Sequence, residues 1–395
     1  MFYKTFALSV LFGLLFTAQA KPWDRRVYDH DYDKVSAVYF ISNDVQNAIV
    51  SLKINEDGTL CDGSFTPTGG AGMSGYFGAP NVTAGPDSLF SQSPLTVVRN
   101  FVFAVNPGSN TLSMFSIAPW DSTKLTPIGS PVSTLGEFPM SVAAHHEHNT
   151  VCVANSGAKA GIACTKYSWR GLEPMDGLRP FDLGQTTPPI GPTNTVSQTF
   201  FSEDGTQLLT TVKGNPPFGT TGYLSSFPFD HDHVSMTGTK SSPAGTLVLF
   251  GAAKIPRSND VLVTDASFGA VILSVSDVGI ATTESSLKIA GQAATCWAAY
   301  SHASKSGFVA DVAINRLVEV TNDGAVGRIF NSKNGNPGMT DLAAGGKIVY
   351  ALSPGNATAE TAVAVFDVVS GGQITELQNF KVKGEMKSAA GMVLV

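Results

Sequence analysis

Charge is scarce in this chain. Lys, Arg, Asp and Glu make up 14% of its 395 residues, with 25 basic against 31 acidic side chains and a formal net charge of −6. That mild acidity, without any basic run, argues against nucleic acid and against an anionic membrane surface as partner. Cysteine is rare too: there are four, at spacings that match no zinc site. No Gly-x-Ser-x-Gly elbow and no phosphate-cradling Gly loop occurs. Beyond the first twenty residues no apolar run is long enough to span a bilayer. What the chain has in quantity is turn-forming residues, 40 Gly and 22 Pro. That balance suits many short strands joined by tight turns, and so an all-β protein.

The N-terminus assigns a compartment. Lys4 precedes an apolar stretch over 6–16, and Ala18-Gln19-Ala20 is a small-x-small cleavage site. Residues 1–20 therefore read as a secretory signal peptide, and the expected location is extracellular or cell wall. Residues 21–34, polar and aromatic, read as a lead-in. Asn81-Val82-Thr83 and Asn356-Ala357-Thr358 are glycosylation sequons set among turn formers. Cys152 and Cys164 fall on the two arms of one predicted hairpin and are expected to form a disulfide. Cys61 and Cys296 belong to distant repeats and receive no pairing.

The organising stretch is FVFAVNPGSNTLSMFSI over 101–117, which reads strand, tight turn, strand. Cognates of its first strand recur along the chain: VYFISN from Val38, TVCVAN from Thr150, LLTTVK from Leu208, DVLVTD from Asp260, SGFVAD from Ser306 and IVYALS from Ile348. Their mean period of about 50 residues lies in the range of propeller blades. Each unit carries further strands before and after the cognate, four antiparallel strands in all, as a blade does. Seven cognates predict a seven-bladed β-propeller over 35–395. The first unit has no inner strand of its own, whereas AAGMVLV over 389–395 is left over at the end. That segment is expected to complete blade 1 and leave no open edge.

Topology then identifies the residues at one face. In a four-stranded blade, the turns between second and third strands and the links between blades share a face. Asn43, Asn106, Asn155, Lys213, Asp265, Asp311 and Ser353 end the seven second strands there. Asn and Asp at such positions are ordinary turn formers, or else a polar ring for an anionic or hydroxylated ligand. The links add Ser91, Gln92, Met140, Gln198 and Cys296, and Arg179 and Arg257 lie near inter-blade links. His145-His146-Glu147-His148 occupies the same turn of its unit as Ser202-Glu203-Asp204-Gly205, on the face opposite the mouth, and reads as a solvated turn. Asp230-His231-Asp232-His233 reads as a surface loop, since neighbouring strand residues point to opposite sides and the four cannot converge on an ion.

The stretch LFSQSPLTVVRNFVFAVNPGSNTLSMFSI, 89–117, resembles the second blade of lactonase-family seven-bladed propellers. That family includes 6-phosphogluconolactonases and 3-carboxymuconate cyclases, and the chain is most similar to its secreted, fungal-type members. The resemblance covers 35 to the C-terminus and implies an active site at the channel mouth. It implies a lactone hydrolase or a lactonizing isomerase (cycloisomerase) acting on a small organic acid or lactone, as a monomer, with no cofactor or with Ca²⁺ on Asn43, Asn106, Asn155, Asp265 and Asp311. Lactonizing members are expected to use a His and a Glu on inner strands. Here the matching strand reads Ser141-Val142-Ala143-Ala144, and Gln198 to Phe200 holds no acid. Two function classes follow. In one, Asp265 or Asp311 is the general base, and Lys213, Asn43, Asn106, Asn155, Gln92, Gln198 and Arg257 bind the ligand. In the other, the chain is a non-catalytic extracellular or cell-wall glycoprotein that binds a ligand or partner.

Overall fold

The computed structural model describes residues 34–384 and 386–395; the expected signal peptide and nearly all of the lead-in lie outside the described residues. Seven antiparallel sheets of four or five strands are arranged in sequence order. Their second strands are Ala37–Ile41, Phe101–Asn106, Thr150–Asn155, Gln207–Val212, Asp260–Asp265, Ser306–Asp311 and Ile348–Ser353, one in each predicted repeat. The only helical elements among the described residues are three single 3₁₀ turns. None is long and apolar enough to cross a bilayer.

Each second strand is buried almost throughout because neighbouring blades cover both of its faces, which removes the usual alternation of buried and exposed positions. Phe101–Asn106 is buried at every position. Phe103 packs tilted against Tyr167 of blade 3 with ring centroids 4.9 Å apart. Phenols stitch further seams: Tyr350 Oη donates to the Gly58 carbonyl at 2.9 Å, and Tyr39 Oη donates to the Ser122 carbonyl.

The ring closes as its ends predict. Ala390–Leu394 is the inner strand of blade 1 and runs antiparallel to Ala37–Ile41, with Val38 opposite Leu394 and Ile41 opposite Ala390. Blade 1 is thus built from both ends of the described chain, and Ala37–Ile41 is paired on both sides instead of being left as an open edge. In blade 3, Cys152 and Cys164 are directly opposite on adjacent strands and are joined by a disulfide. Cys61 and Cys296 are free, and Cys296 is buried.

Candidate functional site at the channel mouth

The centre of the ring is filled by the chain itself. After leaving blade 1, residues 87–93 turn inward before the first strand of blade 2, and Ser88, Leu89, Phe90, Ser91 and Gln92 are all buried. Backbone at positive φ at Phe90 and Ser93 lets this short plug change direction twice. Its polar groups are met from around the ring. Ser88 Oγ donates to the Ser388 carbonyl of blade 1 at 2.7 Å, and Ser91 Oγ to the Met140 carbonyl of blade 3 at 2.7 Å. From blade 4, Lys213 Nζ donates to the Phe90 carbonyl at 2.6 Å. From blade 6, Trp297 Nε1 donates to the Ser91 carbonyl at 3.0 Å. The Gln92 amide pairs with the Ala298 backbone at both ends, donating at 2.7 Å and accepting at 3.0 Å. On the blade 5 side, Gly251 lies so close that a Cβ there would sit 2.1 Å from Gln92 Oε1. Asp341, entering blade 7, accepts the Ser93 N–H at 3.2 Å.

Lys213 is the cation at this centre. It is 2% exposed, and all three of its donors are used, on the Phe90 and Val196 carbonyls and on Ser197 Oγ at 2.6–2.9 Å. Its ammonium also stands 4.4 Å from the centre of the Phe250 ring. Burial lowers its pKa, and the Asp87 carboxylate opposes that shift. Asp87 is half-buried at the plug's first turn and accepts the Phe90 N–H at 2.8 Å; burial raises its pKa, and Lys213 pulls it back. Asp341 is 1% exposed, and burial pushes its carboxyl up to about 7, with the charge of Asp87 a lesser contribution. Burial raises the Cys296 thiol well above its ordinary value.

The other strand-end residues are staples. Asp265 accepts the N–H groups of Leu247, Val248 and Ser267 and the Ser267 hydroxyl. Asp311 accepts from Ala293 and Ala294 N–H at 2.8 and 2.9 Å and pairs with Arg316 at 3.2 Å. Asn43 donates to the Met73 carbonyl and Ser88 Oγ and accepts the Met73 N–H. Asn106 is bonded to Asn47, Thr111 and Ser113, and Asn155 to Thr134 and the Gly161 carbonyl. Ser353 donates to the Gly338 carbonyl. In most of these blades the side chain clamps the link entering or leaving its own blade, the role that short polar residues take in turns.

Of the residues singled out from the sequence, the structure gathers Lys213, Gln92, Gln198 and Cys296 around the plug. Gln198 donates to Ser93 Oγ at 3.2 Å and accepts the Ala252 N–H at 2.6 Å. Arg257 is set apart: it lies in the turn between Leu249–Lys254 and Asp260–Asp265, the turn from inner to second strand, on the face away from the mouth. Arg179 is 1% exposed and forks onto Asp176 and the carbonyls of Val234 and Ser235, so it is a structural ion pair. Sequence reasoning missed Asp87, Phe90, Trp297 and Asp341. The one local signal was an inward-turning Leu-Phe flanked by small hydroxyls in 88–93.

The class of protein defined by this architecture is the seven-bladed β-propeller closed by its C-terminal strand. Among solved structures the chain is similar to the periplasmic gluconolactonase of Pseudomonas aeruginosa, with a TM-score of 0.66 and 16% identity over 92% of this chain and 99% of that one. It is equally similar to a Bacteroides fragilis protein assigned as a 6-phosphogluconolactonase, with a TM-score of 0.66 and 13% identity over 92% and 98% of the two chains. Virginiamycin B lyase of Staphylococcus aureus matches at a TM-score of 0.51 and 13% identity over 76% and 88%. The fold is thus that of the lactonase propellers. No protein-family model and no curated protein matches the sequence.

Proposed function

We propose that this chain is a lactonase-like propeller that serves as a non-catalytic extracellular glycoprotein, with its channel mouth turned over to structure. The observation that carries this reading is the state of Lys213. An ammonium that is to grip a substrate carboxylate needs a free donor, and here every donor is committed to the plug and to blade 4. Asp265 and Asp311, the acids that a catalytic reading would make general bases, are likewise engaged by backbone N–H groups. Their oxygens are already taken up as hydrogen-bond acceptors within the fold. The exposed sequons Asn81 and Asn356 and the cross-strand disulfide agree with an oxidising, extracellular setting.

One feature favours the enzymatic alternative, hydrolysis or closure of the lactone of a sugar acid or muconate-type acid. Asp87 is half-exposed at the mouth, and its raised pKa suits a general base near neutrality. The test is direct. Purified full-length secreted chain is incubated with glucono-δ-lactone, 6-phosphogluconolactone and a carboxymuconate, with and without Ca²⁺. The expected result is no turnover above spontaneous hydrolysis. Turnover that disappears in Asp87→Asn would replace the proposal with the enzymatic reading.

A further inference from the structure

On the face away from the mouth, the seam between blades 4 and 5 opens into a cleft of about 280 Å³. Its floor is Gln207 and Ser226, 5% and 1% exposed. Its walls are Ser235 and residues 237–239 of blade 4 and the Asp277-Val278 turn of blade 5. Two glycines bring the walls onto the floor. A Cβ at Gly238 would lie 2.4 Å from the Ser226 carbonyl oxygen, and one at Gly279, where φ is +80°, would lie 2.6 Å from Ser226 Oγ.

The seam is tied shut around this space. Gln207 Nε2 donates to the Ser276 carbonyl at 3.0 Å, Thr239 Oγ1 to the Val278 carbonyl at 3.0 Å, and Ala281 N–H to Ser241 Oγ at 3.0 Å. The cleft is therefore preformed, which lowers the ordering cost of binding.

The lining selects a chemistry. It contains no cation, so an anion has no partner. The neighbouring depression that shares Gln207 holds Lys254, but Lys254 is paired with Glu203 at 3.1 Å. A single carboxylate is too few oxygen charges for a hard divalent ion. Ser226, Ser235, Thr237 and Thr239 make the lining too polar for a hydrocarbon. What fits is a neutral ligand dense in hydroxyls. No hydrogen bond or ion pair among the described residues engages the Asp277 carboxylate. It can accept both hydroxyls of a vicinal diol in charge-assisted bonds. Ser235 Oγ and Thr237 Oγ1, 3.3 Å apart, offer donors and acceptors on the opposite wall. Val278, 73% exposed, and Pro228 present apolar edges to the C–H face of a ring.

We propose that this cleft binds one neutral hexopyranose, free or at the end of a glycan chain, through a diol held by Asp277. The site lies on a different face from the channel, so lactone turnover would overturn the non-catalytic reading and leave this one standing.

The test uses the full-length secreted chain, enzymatically deglycosylated, in saturation-transfer NMR and calorimetry. The probes are the methyl glycosides of glucose, mannose and galactose, with gluconate as the anionic control. At least one glycoside is expected to bind saturably in the millimolar range, and gluconate more weakly because Asp277 repels its carboxylate. Asp277→Ala should weaken binding about tenfold. Thr237→Trp, which fills the cleft from an exposed loop, should abolish it with an unchanged thermal melt. A trisaccharide ending in the preferred sugar distinguishes the sources: tighter binding means a chain end, and equal binding means a free sugar. Absence of saturable binding by every glycoside, or binding that survives both substitutions, overturns the proposal.

Discussion

Lys213 shows how one side chain can be read two ways. From the sequence it is the only cation among seven strand ends, and so a natural anion grip. In the fold it is buried with three oxygen acceptors at 2.6–2.9 Å, and its role is to fix the Phe90 carbonyl in the ring's centre. Lys213→Met would strand those acceptors and leave Asp87 without its counter-charge. The expected loss is about 3–5 kcal/mol in equilibrium denaturation followed by tryptophan fluorescence. A loss under about 0.5 kcal/mol, the range of a neutral surface change, would contradict the assigned role. Asp341 gives a pH signature. Its carboxyl keeps its proton up to about 7 in the fold and releases it near its ordinary value of 3.8 when unfolded. The folded state therefore binds more protons between those values, and this group's contribution to stability falls as pH rises from about 4 to 7. His145 acts in the opposite sense. Burial and the neighbouring His148 lower it to about 4, so its contribution falls as pH drops below its ordinary 6.5. Melts of Asp341→Asn against wild type from pH 5 to 8 should show the variant gaining relative stability toward pH 7 and then levelling. A flat difference would remove Asp341 from the balance.

At the level of strands and links, legibility divides by sequence distance. Each second strand is a local run of short apolar and β-branched residues followed by a polar one, and all seven stand where the repeat places them. Closure by 389–395 was also legible, since blade 1 lacked an inner strand and the chain ended in an unclaimed apolar one. The plug was not legible. Lys213 meets Phe90 across 123 residues, and Gln92 meets Ala298 across 206, with nothing local to signal either contact. Two variants test these elements. Deletion of 390–395 exposes the edge of Ala37–Ile41 and should abolish cooperative melting, whereas a truncation that still melts cooperatively would show that the ring does not need this strand. Phe103→Ala leaves a cavity between blades 2 and 3 and should cost about 3–5 kcal/mol.

Across the whole molecule the two faces carry different features. The mouth face carries both sequons, Asn81 on the link from blade 1 to blade 2 and Asn356 on the turn between Ile348–Ser353 and Ala362–Asp367. The Asn356 carboxamide already accepts the Thr358 and Ala359 N–H groups at 2.8 Å, which holds it at the tip of that turn. The far face carries the hydroxyl-lined cleft. A ring with the fold of the lactonase propellers, filled at its centre, presents the two sequons on one face and the hydroxyl-lined cleft on the other. Native-state hydrogen exchange on 88–93 tests that picture most directly, because it asks whether the centre is permanently filled. The Gln92 N–H is bonded to the Ser197 carbonyl and the Ser93 N–H to Asp341. Peptides over these residues should exchange as slowly as those of Phe101–Asn106, opening only with global unfolding. Exchange within seconds at neutral pH, while the blade strands stay protected, would mean that the channel opens in the native state and that Lys213 and Asp341 are free to meet a substrate.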